Sequence, residues 1–137
     1  MAEQNRLTEE QTAEWIKLQL QRSNKHLAEN GVLFDAVVME ESRYLAPYIA
    51  LWKIRDNESN YYWVLSGDLP VDFTVIGNAE DARGAMKYFS MSWQMKAENI
   101  RAANAVDEEQ LKYAALLQNR AESMYTLQNA DDLWVQQ

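Results

Sequence analysis

Apolar residues recur every three to four positions in three stretches of the chain, and this spacing predicts three helices. The predicted helices cover residues 8–30, 79–103 and 108–128. The first helix opens on Thr8 and Gln11, a pair typical of a capping box, in which each side chain bonds the backbone amide of the other residue. Asn78 and Asp107 are the expected N-caps of the second and third helices, because such side chains accept bonds from the free amides of a first helical turn.

Between the first and second helices the pattern changes to that of strands. β-branched and aromatic residues predominate in three runs that polar turns separate. These runs predict strands at residues 32–39, 48–55 and 61–65. Residues 71–76 form either a fourth short strand or an extended loop, and both alternatives stay open. The order α-β-β-β-(β)-α-α predicts a two-layer α+β domain, with an antiparallel three- to four-stranded sheet, one N-terminal helix and two C-terminal helices.

Length and composition narrow the kind of protein. A chain of 137 residues has the size of one domain, and we expect a single domain over residues 1–137 with an ordered core at about 8–128. Hydrophobic residues make up 47% of the chain, which is enough for a buried core and excludes disorder throughout. The chain has no cysteine and one histidine, which excludes disulfides, thiolate metal sites, cysteine nucleophiles and histidine-rich metal sites. The sequence therefore indicates no cofactor, no metal and no catalytic residue, and it favours a protein that is not an enzyme.

The charge pattern bears on partners and compartment. The formal net charge is −8, with acidic and basic residues spread evenly over both halves of the chain. An acidic surface repels phosphate backbones, so a nucleic-acid partner is not expected. The N-terminus lacks the apolar core of a signal peptide, and no window reaches the roughly 18 to 20 apolar residues of a membrane span. The sequence therefore predicts a cytoplasmic protein without a membrane partner.

The turn from Gly67 to Asp72 carries the candidate chemistry. The carboxylates of Asp68 and Asp72 would suit an acid/base pair or a hard cation. Arg43 would suit a carboxylate or a phosphate through its forked guanidinium. The structural alternative is that the aspartates bond local amides and that the arginine forms an exposed salt bridge. The residue types favour this alternative, and the turn supports a second hypothesis, a small-molecule-binding protein or small enzyme.

Six aromatic residues crowd the middle of the predicted sheet. They are Tyr44, Tyr48, Trp52, Tyr61, Tyr62 and Trp63. Neighbouring strand residues point to opposite faces, so one set of rings packs against the helices. The other set either forms an exposed surface for a partner or is covered by a second helix, and both alternatives stay open. The aromatic hairpin favours a non-enzymatic protein-binding or adaptor domain, with Trp52, Trp63 and Tyr61 as candidate contacts.

The edges of the predicted sheet suggest self-association. The exposed edge belongs to strand 32–41 or to strand 61–65, depending on whether residues 71–76 pair. Neither strand contains proline or lysine, which usually protect an edge from another chain. The two C-terminal helices also carry more apolar residues than one buried face needs, including Met91 and Met95. We therefore expect a symmetric homodimer, the commonest closed assembly.

Three strings of the sequence resemble a known family. They are SNKHLAENGVL at 23–33, EESRYLAP at 40–47 and YWVLSGDLPVD at 62–72. These strings resemble an uncharacterised family of small gammaproteobacterial proteins, a domain of unknown function, over residues 8–125. The resemblance implies a stand-alone domain in a bacterial cytoplasm, and it assigns no activity, so it carries over no catalytic residue. In element order alone the chain is also similar to dimeric secretion chaperones, although it lacks their two further strands before the last helix.

Overall fold

The computed structural model describes residues 7–103 and 106–134. Contacts along the chain group it into two compact units, Met1–Ala82 and Arg83–Gln137. The helices and strands of the first unit are α1 (Glu9–Glu29), β1 (Phe34–Val37), β2 (Arg43–Leu45), β3 (Ile49–Asp56), β4 (Tyr61–Gly67) and β5 (Asp72–Val75). The second unit contains α2 (Ala82–Ala103), whose first residue closes the first unit, and α3 (Glu108–Gln128). The predicted α+β class and the helix order are confirmed.

The N-terminal helix is built as its sequence predicts. The Thr8 hydroxyl accepts a bond from the Gln11 amide at 3.0 Å, and the Gln11 side chain accepts one from the Thr8 amide at 2.9 Å. The helix ends at Glu29 with Asn30 as its C-cap, and Gly31 then has a φ of +81°, a left-handed conformation that glycine adopts at little cost. Leu27 of this helix is fully buried against β3 and β4.

The sheet has five antiparallel strands in the described residues, one more than the predicted maximum. β3 lies between β4 on one side and both β1 and β2 on the other, and β5 completes the sheet beside β4. The open alternative at residues 71–76 is therefore resolved as a strand. Because β5 pairs with β4, the alternative of an edge at 61–65 is excluded, and the outer strands are β5 and the β1–β2 pair.

Strands β1 and β2 are separate because the chain between them turns out of the ladder. Residues Met39–Glu41 form a short 3-10 turn. The buried Ser42 hydroxyl then replaces a backbone pairing, since it donates to the Val38 carbonyl at 2.8 Å and accepts from the Lys53 amide at 2.9 Å. The predicted strand at 32–39 contains β1 alone, and the sequence did not predict the separate strand β2.

The second unit is a helical hairpin in which most sequence predictions hold. Asp107 caps α3 by accepting from the Glu109 and Gln110 amides at 3.1 and 3.2 Å. Asn78 as the N-cap of α2 is wrong: it ends a 3-10 turn, and its side-chain amide donates to the Thr74 hydroxyl at 2.6 Å. The helix consequently begins at Ala82 and not at residue 79.

Contacts within the hairpin join its two helices and the segment that follows α3. The Ser90 hydroxyl of α2 donates to the Ala121 carbonyl of α3 at 2.8 Å. Arg83 donates to the Gln128 carbonyl at 2.8 Å, and the Trp134 indole donates to the Leu127 carbonyl at 3.0 Å. The segment after α3 is therefore fixed through Trp134.

Candidate functional site

The Gly67–Asp72 turn joins the ends of β4 and β5, and its geometry is set by backbone contacts. Gly67 has a φ of +131°, and the Asp68 amide donates to the Tyr48 carbonyl at 2.9 Å. Asp72 opens β5, where one of its carboxylate oxygens accepts from the amide of Phe73 at 2.8 Å. The Asp72 carboxylate thus makes the local amide contact that the structural alternative predicts.

Arg22 of α1 holds this turn, and sequence reasoning missed it. One guanidinium nitrogen donates to the Gly67 carbonyl at 2.7 Å and to the Gln19 side chain at 2.9 Å, and another donates to the Leu69 carbonyl at 3.2 Å. The contacts span 45 and 47 positions of sequence. The available signal was the run of polar residues on a helix face that the structure buries, where Gln19 and Ser23 are both at most 4% exposed.

The structure separates Arg43 from Asp72 of the turn. Arg43, Leu51, Leu65 and Asp72 occupy one row across four successive strands. Three strand spacings put the ends of that row about 14 Å apart, with two leucines between them. The Arg43 guanidinium instead donates to the carbonyls of Ser42 at 2.8 Å and Glu40 at 3.2 Å. Arg43 and Asp72 therefore do not converge on one pocket.

The two candidate tryptophans of the hairpin lie in the interior. Trp52 and Trp63 are both 0% exposed. The Trp52 indole donates to the Ser66 hydroxyl at 3.0 Å, and the Trp63 indole donates to the Ala79 carbonyl at 3.1 Å. β3 and β4 are buried on both faces over most of their length, so the alternative of an exposed hairpin face is not what the structure shows.

Tyr61 lies at the end of the hairpin among paired charges. The Lys53 ammonium lies 5.3 Å from the Tyr61 ring centre and 3.1 Å from a Glu41 carboxylate oxygen. Arg55 forms a second ion pair with Asp35 at 2.7 Å. Its hydrogen bond to Asp35, and to a smaller extent its hydrogen bond to Tyr61, raise the pKa of the Arg55 guanidinium. Each cation of β3 is thus matched by an acid on the β1–β2 side of the sheet.

Asp56 closes the β3–β4 hairpin through its carboxylate. One oxygen accepts from the Glu58 amide at 2.9 Å and the Asn60 amide at 2.8 Å, and the other accepts from the Tyr62 hydroxyl at 3.1 Å. Burial by itself would raise the pKa of Asp56, but the bonds from Asn60, Glu58 and Tyr62 outweigh burial and lower it. The pKa of Tyr62 is raised by burial and by its bond to Asp56. These groups stabilise a turn rather than forming a reactive pair.

An exposed aromatic surface does occur, on β2 instead of on the hairpin. Tyr44 is 43% exposed, and its ring lies 6.0 Å from that of Trp52 beneath it and 6.3 Å from that of Trp15 on α1. Trp15 in turn lines an open groove of about 400 Å³ on α1. The groove is lined by Glu14, Trp15, Lys17, Leu18 and Gln21. We call β2 together with this groove the edge patch.

Over residues 7–103 and 106–134, no helix combines the length and the apolar character needed to span a bilayer. In those same ranges, no three or more His, Asp or Glu side chains are grouped so that they could hold a metal ion.

Comparisons with known proteins place the chain in a family. No curated protein and no solved structure matches it significantly. The family model for a domain of unknown function, DUF4826, matches residues 9–134, which includes every helix and strand of both units. The chain therefore belongs to the DUF4826 family.

Proposed function

We propose that this chain is a non-enzymatic protein-binding domain of the bacterial cytoplasm, and that it binds its partner through the edge patch. The observation that carries the proposal is the exposed Tyr44 on an outer strand, in ring contact with Trp15 of the adjoining groove. Aromatic side chains are enriched in the buried centres of protein interfaces, because they bury a large area with few rotatable bonds.

The charges of the chain support a protein as the partner. A net charge of −8 opposes binding to a phosphate backbone, whereas a protein surface need not be negatively charged. The separation of Arg43 from Asp72 supports the same choice, since a small-molecule site built from the predicted residues would need them close together. Apolar contact with the edge patch is then the main contribution to binding.

A capture experiment with matched variants tests this function. The chain is immobilised and exposed to a gammaproteobacterial lysate, the source that the sequence resemblance implies. Proteins retained by the wild type should be lost with Leu18→Lys, which puts a charge into the groove, and kept with Met91→Lys. These two residues make a fair comparison because both lie within long helices and are 51% and 54% exposed. Retention that is the same for all three chains would refute the binding of a foreign protein through the edge patch.

A further inference from the structure

The outer side of β2 offers unpaired backbone groups to another strand. The peptide groups of Lys53 face β1 and β2, because its carbonyl accepts from Val38 and its amide donates to Ser42. Groups in an antiparallel ladder alternate along the strand, so those of Leu51 face β2 as well. Its register partner Arg43 therefore faces β3, and the amide and carbonyl of Tyr44 point outward. Among the described residues, β2 pairs with β3 alone.

Two carboxylates beside this strand are already paired with cations of the same chain. Asp35 pairs with Arg55 at 2.7 Å, and Glu41 pairs with Lys53 at 3.1 Å. These carboxylates would otherwise repel a second acidic chain approaching the same edge. Internal pairing removes much of that repulsion at short range, although the net charge of −8 remains a weaker, screened opposition. The edge is thus compatible with a partner that carries the same charges.

The side chains of the edge patch suit a copy of themselves. Glu14 and Lys17 are opposite charges one helical turn apart on the same groove. In an interface with two-fold symmetry the same patch meets itself, and residue i contacts residue j while j contacts i. A groove that carries one acid and one base can therefore form two equivalent ion pairs across the axis, around the apolar Trp15 and Leu18.

We propose that the partner at the edge patch is a second copy of this chain, with the two β2 strands paired antiparallel about an axis at Tyr44. The inference rests on the proposed function, because it names the occupant of the same surface. In this arrangement the outward amide and carbonyl of each Tyr44 pair with those of the second copy. Arg43 lies opposite Leu45, and the two α1 helices lie on the same face of one continuous sheet.

Sedimentation equilibrium of the whole chain tests the dimer, over concentrations from about 1 to about 200 µM. The wild type should rise from the monomer mass of 15.9 kDa toward twice that value. Leu18→Lys should raise the dimer dissociation constant at least ~10-fold, since it buries a charge in an apolar contact. Tyr44→Pro should do the same, because it removes both the exposed ring and the outward amide while leaving the inward pairing of β2 intact. Met91→Lys should leave the constant unchanged.

Two results would overturn the dimer. A wild type that stays at the monomer mass throughout refutes it, and so does a dimer that Met91→Lys dissociates while Leu18→Lys does not. The lysate experiment separates this failure from failure of the proposed function. If the chain is a monomer but captures a foreign protein that Leu18→Lys loses, the edge patch binds a different protein and the function stands. If neither self-association nor patch-dependent capture occurs, the proposed function fails as well.

Discussion

Replacing Gly67 by alanine should destabilise the protein more than the same change at Gly31 or Gly77. A Cβ at Gly67 would lie 2.7 Å from the Ile49 Cα and closer still to the Tyr48 carbonyl oxygen. Both obstacles are backbone atoms of the neighbouring segment, so they cannot rotate away. At Gly31 and Gly77 a Cβ would meet nothing within 4 Å. The three positions therefore separate the effect of close approach from the effect of backbone conformation.

The expected costs follow from these two effects. An alanine at positive φ loses about 1–2 kcal/mol, and this applies at Gly31, with φ +81°, and at Gly67, with φ +131°. Forcing extra volume into a closed site adds roughly 1–3 kcal/mol at Gly67 alone. The Gly67 variant should thus lose about 2–5 kcal/mol, a large part of the ~5–15 kcal/mol that stabilises a typical domain. Gly77→Ala should be neutral or gain up to ~1 kcal/mol, because alanine restricts the unfolded chain.

Urea unfolding followed by far-ultraviolet circular dichroism gives the free energies of unfolding of the wild type and the three variants. The expected order of stability is Gly77→Ala, then Gly31→Ala, then Gly67→Ala. Equal losses at Gly31 and Gly67 would show that the turn can move away from Tyr48. The predicted clash of a Gly67 Cβ with the backbone of Tyr48 and Ile49 would then be wrong.

Three further changes probe the polar contacts of the first unit. The pKa of Asp56 is lowered on folding, so its contribution to stability is present above its ordinary pKa of 3.8 and is lost as the pH falls through the folded pKa. The difference in urea stability between wild type and Asp56→Asn should therefore shrink over that acid range. The side-chain amide oxygen of Asn24 is buried without a hydrogen-bond partner in the described residues, so Asn24→Ala should stabilise the protein by about 1–3 kcal/mol. The exposed helical control Asn99→Ala should gain roughly 0.6 kcal/mol, and equal gains would contradict a buried unpaired oxygen. Arg22→Lys keeps the charge but loses the forked guanidinium that reaches two carbonyls, so the free energy of unfolding from thermal denaturation should fall by about 1–2 kcal/mol. An unchanged free energy would show that Arg22 does not support the turn.

The helices were predictable because their signals are local. Thr8 with Gln11, and Asp107 before α3, act within one turn of the residues that they cap. Asn78 fails for a reason that is also local but hidden: its side chain finds the Thr74 hydroxyl, and a capping residue that bonds elsewhere no longer starts a helix. Propensity alone does not distinguish between two available hydrogen-bond partners.

The sheet and the candidate site were predictable only in part, since both depend on contacts distant in sequence. The pattern indicated antiparallel strands, but the break between β1 and β2 depends on Ser42 reaching Val38 and Lys53. The support of the Gly67–Asp72 turn depends on Arg22, which lies on another element altogether. No window of neighbouring residues contains either contact.

The aromatic residues show why position in the sheet decides exposure. Trp52 and Tyr44 point to the same face, as their register with Ala50 on β3 requires, and their rings stack at 6.0 Å. Trp52 is nevertheless fully buried, while Tyr44 is 43% exposed. Trp52 lies on a strand with neighbours on both sides, whereas the strand of Tyr44 has a neighbour on one side only.

Alternation along a strand assigns a ring to a face, but strand order determines what surrounds it. An aromatic that remains exposed on an outer strand therefore indicates binding more strongly than a cluster of aromatics along a central hairpin, and here that criterion selects Tyr44 over Trp52.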